Sequence, residues 1–213
     1  MDTLCKALEA GFEGYEDVQA MCAHATKYGN DDDSANQIAK DMFNYIADYI
    51  ESFQHPYGHY NGGILPVSGN TPFGMEVGAL PSGRKAYVPL GDGISPNQGT
   101  DTNGMSAVLK SCSYIPHARF NQGTLLNQKL DPAFARGEKA VESLMGYLKS
   151  LCAMGIFHVQ FNVVDPEELK DAQENPEDHS DLLIRVAGYT AYFTELGPET
   201  QGDIISRTTQ THI

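Results

Sequence analysis

The chain has 213 residues, 28 of them acidic and 14 basic, with a formal net charge of −14 and a hydrophobic fraction of 41%. That length suits one domain able to bury a sizeable core, and the acidic balance leaves no basic stripe for nucleic acid or for an anionic membrane surface. No apolar run reaches the roughly 18–20 residues that cross a bilayer, and MDTLCKALEAGFEGYEDVQ lacks the basic and apolar regions of a signal peptide, so the reading is a soluble cytosolic protein.

Leu4, Leu8 and Phe12 share one face of a first helix, which Gly11 and Gly14 break. A second short helix is expected over Tyr15 to Ala25. In KYGNDDDSANQIAKDMFNYIADYIESF, the residues Ile38, Met42, Tyr45, Ile46, Tyr49 and Ile50 form an apolar stripe at helical spacing. The preceding Asp31–Asp33 read as N-capping and as charge favoured at a positive helix end. A metal site fits them less well, because the alternating oxygen ligands of a calcium loop are missing.

Between Gln54 and Gly104 the composition shifts to glycine and proline, and only Ile64 to Ser68 and Ala86 to Leu90 look like strands. Interleaved Tyr57, Tyr60, Ile64, Leu65, Phe73, Met75, Leu80, Tyr87 and Leu90 distinguish this stretch from a flexible linker, so it reads as ordered loop around a site. His55 and His59 stand four apart, a zinc spacing on a helix, but Pro56 and Gly58 disfavour a helix and no metal is expected.

The last hundred residues alternate in type. The pattern predicts a helix at Met105 to Ser113, a strand at Thr124 to Leu130 and a helix at Gly137 to Met154. A strand at Phe157 to Val164, a helix at Pro166 to Gln173, a strand at Asp181 to Ala187 and a helix from Pro198 to about Thr209 follow. Such alternation indicates a parallel sheet or part of an α/β barrel. In HVQFNVV, Val159, Phe161 and Val163 face one way and His158, Gln160 and Asn162 the other, so the polar side is expected to line solvent or a cavity. Cys5, Cys22, Cys112 and Cys152 contain no CxxC pair and read as reduced thiols that serve packing.

The sharpest local signal is LLIRVAGYTAYFTELGPETQGDIISRTTQ, where an apolar strand runs into Gly188. Alone, that glycine reads as a position needing positive φ or close backbone approach. It does not stand alone. DPEELKDAQENPEDHSDLLIRVAGYTAYFTELGPETQGDIISRT, with HVQFNVV before it, resembles the C-terminal domain of the glycyl radical enzymes, the family of pyruvate formate-lyase and its dehydratase, lyase and decarboxylase relatives. ALPSGRKAYVPLGDGISPNQGTDTNGMSAVLKS, GTLLNQKL and KYGNDDD match further stretches of the family in order, so the resemblance covers in effect the whole chain. Ser82 stands where the family usually has Asp, and Met105 where it usually has Pro.

The resemblance implies the C-terminal part of a ten-stranded α/β barrel, with residues 1–90 belonging to the pyruvate formate-lyase-like barrel and 91–213 forming the glycine radical domain. It implies that Gly188 stores a backbone radical, with Arg185, Val186, Ala187 and Tyr189 supporting the loop. Leu182, Leu183, Ile184 and Val186 are expected to bury that loop and keep oxidants out. No cofactor is expected on the chain itself; the radical is installed by a separate S-adenosylmethionine/iron–sulfur activase. It then passes to a thiyl cysteine in a Gly-Cys-Xaa-Glu loop, which none of the four cysteines here occupies. The partners implied are that activase, the N-terminal remainder of the barrel, a second copy in a homodimer when complete, and a small-molecule substrate. Leu65 and Pro66 are the candidate pocket-lining residues, and GNTPFGMEVGALPSGRKAYVPLGDGISP leans toward the dehydratase and lyase branch. The expected location is the cytoplasm of an anaerobic cell or a microcompartment within it. A stand-alone radical subunit and a non-enzymatic acidic interaction module are the alternative readings.

Overall fold

The computed structural model describes residues 1–137, 139–156 and 158–211. Helices α1 (Asp2–Glu9) and α2 (Glu16–His24) lead into the long α3 (Asp33–Ser52). Asp32 caps α3 by accepting from the Ser34 and Ala35 amides at 3.0 Å each, an interaction that stabilises a helix by about 1 kcal/mol. The apolar stripe of α3 faces outward rather than into the chain's core: Ile38, Met42, Tyr45 and Tyr49 are each at least 60% exposed, while Asn36 and Ala47 are the buried positions.

Within the loop-rich segment, β1 (Gln54–His55) and β2 (Gly58–His59) form a short antiparallel hairpin that places His55 and His59 on strands. A helix that sequence pattern missed, α4 (Asn70–Glu76), follows. Of the two strands expected there, only Ile64 makes a β-bridge, parallel to Thr124, and Ala86 to Leu90 is irregular. Order comes instead from Arg84, whose guanidinium donates to the carbonyls of Gly74, Val77, Gly78, Val88 and Pro89. One cation thus satisfies five carbonyls that no ladder serves.

The second half carries α5 (Met105–Cys112), β3 (Leu126–Leu130), the short α6 (Pro132–Ala135), α7 (Ala140–Ala153) and β4 (Val159–Val163). Then come α8 (Pro166–Glu174), β5 (Leu183–Arg185), β6 (Thr190–Tyr192), α9 (Pro198–Ser206) and β7 (Thr209–Gln210). The expected strand from Phe157 and helix from Gly137 include Phe157 and Glu138, which lie outside the described residues. A three-stranded parallel sheet has the order β4-β3-β7, with Leu126 opposite Val159 and Lys129 opposite Thr209. The expected helix to Thr209 therefore ends at Ser206, and the chain turns there to add a strand beside β3. Strands β5 and β6 form a separate antiparallel hairpin in the register Leu183–Tyr192, Ile184–Ala191 and Arg185–Thr190.

Two apolar clusters hold these layers. Met105, Val108, Leu109, Leu126, Leu130, Leu151 and Ile156 pack α5 and α7 on the parallel sheet. Leu169, Ile184, Val186, Phe193 and Ile204 pack α8 and α9 against the hairpin. Each such side chain contributes about 1.5–3 kcal/mol on full burial. Of the cysteines, Cys112 belongs to the first cluster, whereas Cys5 and Cys152 are exposed and Cys22 half-buried, which corrects the expectation that all four serve packing.

The loop before α5 meets β3 at Gly93, where φ is +58° and the next residue, Ile94, donates to the Leu125 carbonyl at 2.9 Å. A Cβ at Gly93 would collide with that carbonyl oxygen. Gly93→Ala is expected to destabilise the chain by about 2–4 kcal/mol, read as a lower urea midpoint; an unchanged midpoint would show that the loop relaxes away from β3.

Candidate functional site

Gly188 is the third of the four residues, Val186 to Tyr189, that join β5 to β6. The Val186 amide donates to the Tyr189 carbonyl at 2.9 Å across this turn. Gly188 has a φ of +88°, a left-handed backbone conformation that favours glycine. A Cβ there would meet nothing within 4 Å, so backbone conformation, not crowding, demands glycine in this chain. Gly188 is exposed, while Val186 and Ala187 beneath it are buried.

The expected apolar cover is partial. Ile184 and Val186 are buried in the second cluster and Leu182 packs at its margin, but Leu183 is 56% exposed. The alternation along β5 explains this, since a strand sends successive side chains to opposite faces. Tyr189 packs against the same cluster. Arg185 lies on the exposed face, and its Nη1 reaches the Thr190 hydroxyl at 3.2 Å while its Nη2 donates to the Gly188 carbonyl at 3.4 Å.

The hairpin rests on the polar face of β4. Asn162 Nδ2 donates to the Arg185 carbonyl at 2.7 Å, and its Oδ1 accepts from the Arg185 amide at 2.9 Å. One side chain thus mimics a neighbouring strand. Gln160 Oε1 accepts from the Gly188 amide at 2.9 Å and from Arg185 Nε at 3.2 Å, while its Nε2 donates to the Val186 carbonyl at 3.2 Å and to Asn127 Oδ1. Gln160 and Asn162 are 6% and 7% exposed. Of the polar side of HVQFNVV, expected to line solvent or a cavity, Gln160 and Asn162 are instead buried against the hairpin, and His158 is half-buried.

A charged layer lies below. Asn127 Nδ2 donates to Asp92, and Arg207 pairs with Asp92 at 3.4 Å and with Asp203 at 2.7 Å while its Nη1 donates to the Val186 carbonyl at 3.2 Å. Burial raises the Asp92 carboxyl above its usual range, against the pull of Arg207 and Asn127. Asp101 is likewise raised by burial, although Thr208 and Gln210 donate to it. Lys129 on β3 is 4% exposed and donates to the Ile204 and Ile205 carbonyls at 3.3 and 2.8 Å. Burial, reinforced by Arg207 and Lys170, lowers its pKa to about 8. These groups surround a cavity of about 20 Å³, room for a single water. Among the described residues, no group of three or more His, Cys, Asp or Glu side chains is placed to hold a metal ion.

Leu65 and Pro66 lie away from this network. Leu65 borders Gly123 together with His158, and the Pro66 carbonyl accepts from the Gly69 amide at 2.7 Å. His158, the residue before β4, is shifted down by burial and then by the Arg185 charge, which links the Leu65 edge electrostatically to the hairpin. Gln160, Asn162, Asn127 and Arg207 were not singled out as site residues from sequence. The period-two polarity of HVQFNVV was the visible signal for two of them.

Known proteins match this chain. The family model for the glycine radical matches residues 90–194, and that for pyruvate formate lyase-like proteins matches residues 1–74. The trans-4-hydroxy-L-proline dehydratase of Clostridioides difficile is 44% identical over 99% of this chain and 27% of its own length. An isethionate sulfite-lyase of Bilophila wadsworthia is 38% identical over 98% of this chain and 25% of its own. The structure of hydroxyproline dehydratase from Clostridioides difficile, with trans-4-hydroxy-L-proline bound, superposes with a TM-score of 0.95 at 42% identity over 99% of this chain and 27% of that one. The glycerol-bound B12-independent glycerol dehydratase of Clostridium butyricum gives 0.94 at 38% identity over the same shares. The chain thus spans about a quarter of the length of the curated relatives it matches, and its α/β fold is that of the C-terminal part of their barrel.

Lys129 offers a pH test of the buried layer. Between a folded pKa of about 8 and the ordinary lysine value near 10.4, the unfolded chain holds a proton that the folded chain has lost, so stability rises with pH across that window. Tyr28, Cys112 and Tyr147, all raised by burial, act in the opposite sense at higher pH and are common to both proteins in a comparison with Lys129→Met. The unfolding free energy of the native chain relative to Lys129→Met is expected to gain about 2 kcal/mol between about pH 7.5 and 10. Parallel urea-derived curves would show that Lys129 keeps an ordinary pKa.

Proposed function

The chain belongs to the glycyl radical enzyme family, and from that premise we propose that Gly188 is the residue whose Cα hydrogen is removed to store the radical. The observation that carries this reading is the turn itself. An exposed glycine at positive φ sits on a hairpin whose flanking backbone groups are bound by Gln160, Asn162 and Arg207 rather than by water. An outside group can reach the Cα, while the framework behind it stays fixed.

In this reading an S-adenosylmethionine/iron–sulfur activase is the partner. One Cα–H bond of Gly188 breaks homolytically, the hydrogen atom leaves with an adenosyl carbon radical as a new C–H bond, and one unpaired electron stays on Gly188. Val186 and Ala187 keep water from the buried side of the turn, and Arg185, Asn162 and Gln160 hold its shape. Tyr189 anchors the far end in the second cluster. Further polypeptide supplies the cysteine to which the radical passes. Its thiyl form takes a hydrogen atom from a small substrate, for C–O, C–N or C–C cleavage of the dehydratase or lyase type. Leu65 and Pro66 remain the candidates for lining that pocket, residues 1–90 form the barrel part and 91–213 the glycine radical domain. The complete protein pairs as a homodimer and works in an anaerobic cytoplasm.

Anaerobic activation of the complete assembly is expected to give a doublet in electron paramagnetic resonance that Gly188→Ala abolishes. Air exposure of the activated protein should then cleave the chain at Gly188 and release a short C-terminal peptide. A native assembly with a competent activase but no doublet would assign this chain a structural role instead. An intact chain by mass spectrometry, after proven radical formation, would place the radical elsewhere.

A further inference from the structure

Gly188 stands between two peptide groups, and a different side chain polarises each of them. On its amino side the N–H donates to Gln160 Oε1 at 2.9 Å. On its carboxyl side the carbonyl accepts from Arg185 Nη2 at 3.4 Å. The two are joined, since Arg185 Nε donates to that same Gln160 oxygen at 3.2 Å.

The orientation of Gln160 is fixed by its surroundings. Its amide nitrogen is committed to the Val186 carbonyl and to Asn127 Oδ1, and the Asn127 amide nitrogen in turn donates to Asp92. Asp92, when ionised, can only accept, so every bond in the row points the same way: Gly188 N–H to Gln160, Gln160 to Asn127, Asn127 to Asp92. Hydrogen bonds aligned head to tail reinforce one another in a low-dielectric interior, and all three of these side chains are less than a tenth exposed.

An unpaired electron on a glycine Cα is shared between a nitrogen that releases electron density and a carbonyl that withdraws it. An acceptor on the N–H strengthens the release, and a cation on the carbonyl oxygen strengthens the withdrawal. Both effects grow as the peptide planes approach coplanarity at the Cα, so radical formation turns the backbone away from the φ of +88° that the intact glycine adopts. Resting on the assignment of Gly188 as the radical site, we propose that Gln160 and Arg185 are a push–pull pair that stabilises the Gly188 radical. The pair acts on the reacting residue itself, so its function is separable from the structural work of Asn162 on the neighbouring strand.

The test uses the complete assembly, activated anaerobically, with ¹⁵N-labelled glycine in the native protein and in Gln160→Met, Arg185→Met and Arg185→Lys. Gln160→Met is expected to lower the doublet by about fivefold, the effect of one net hydrogen bond, and to reduce the ¹⁵N hyperfine coupling. Arg185→Met should shorten the doublet's lifetime by a similar factor, with Arg185→Lys restoring most of it. A merely structural role would change thermal unfolding without moving the nitrogen coupling. A folded Gln160→Met with native yield and coupling overturns the proposal. If that variant fails to fold, the exposed Arg185 decides, because an unaltered doublet in Arg185→Met removes the carbonyl half of the pair. A native assembly without any doublet instead overturns the assignment of Gly188, and the pair with it.

Discussion

A glycine displayed in the turn of a hairpin has backbone groups that its own strands leave unpaired, and everything around Gly188 follows from how those groups are bound. Water would bind them in an ordinary surface hairpin, at the cost of mobility. Here Gln160 takes the Gly188 amide and the Val186 carbonyl, Asn162 takes both backbone groups of Arg185, and Arg207 reaches Val186 from below. Burying two carboxamides without partners would cost several kcal/mol, so these side chains belong inside only because the hairpin is there to be held. The constraint is mutual: the hairpin is fixed by β4, and the polar face of β4 is tolerable only under the hairpin.

The same logic extends to the charges beneath. Arg207 touches Asp92, Asp203 and the Val186 carbonyl, and a buried cation with that many acceptors ties α9, the segment before α5 and the turn into one unit. Buried pairs of this kind add little net stability against an apolar replacement, but removal of one partner is costly. Their contribution is therefore to position rather than to strengthen. The turn over α9 that places Arg207 also ends the helix, which lets Thr209 and Gln210 join β3.

This explains which parts of the molecule were legible in the sequence. The helices α3 and α8 begin at aspartates whose carboxylates cap the first turn, Asp32 and Asp165, and both the cap and the spacing are local. Strands β3 and β4 carry enough residues to show their period. By contrast β6 and β7 are three and two residues long, too short for any periodicity, and their existence depends on partners distant in sequence. The small helix α4 was masked by glycine and proline, and its neighbouring loop is ordered by Arg84, whose five carbonyl contacts leave no pattern along the chain. Gly188 stood out through the family motif. Gln160 and Asn162 were visible as polar residues on one face, but nothing local marks the hairpin more than twenty residues downstream as what they face.

The stripe of α3 shows the limit of periodicity in another way. Helical spacing of Ile38, Met42, Tyr45 and Tyr49 was a sound signal for a helix, yet it does not say which surface the stripe meets, and in this chain those residues face out. Val141, Met145 and Leu148 on α7 do the same. Exposed apolar faces of this extent are unusual on a self-contained domain. Helices of an α/β barrel normally pack on their neighbours around the ring as well as on their own strands, and a chain spanning about a quarter of its relatives' length presents some of those flanks uncovered. The Gly188 turn is held firmly from the β4 side and is open on the other, so whatever approaches the Cα must come from the side opposite Gln160, where this chain offers no obstacle.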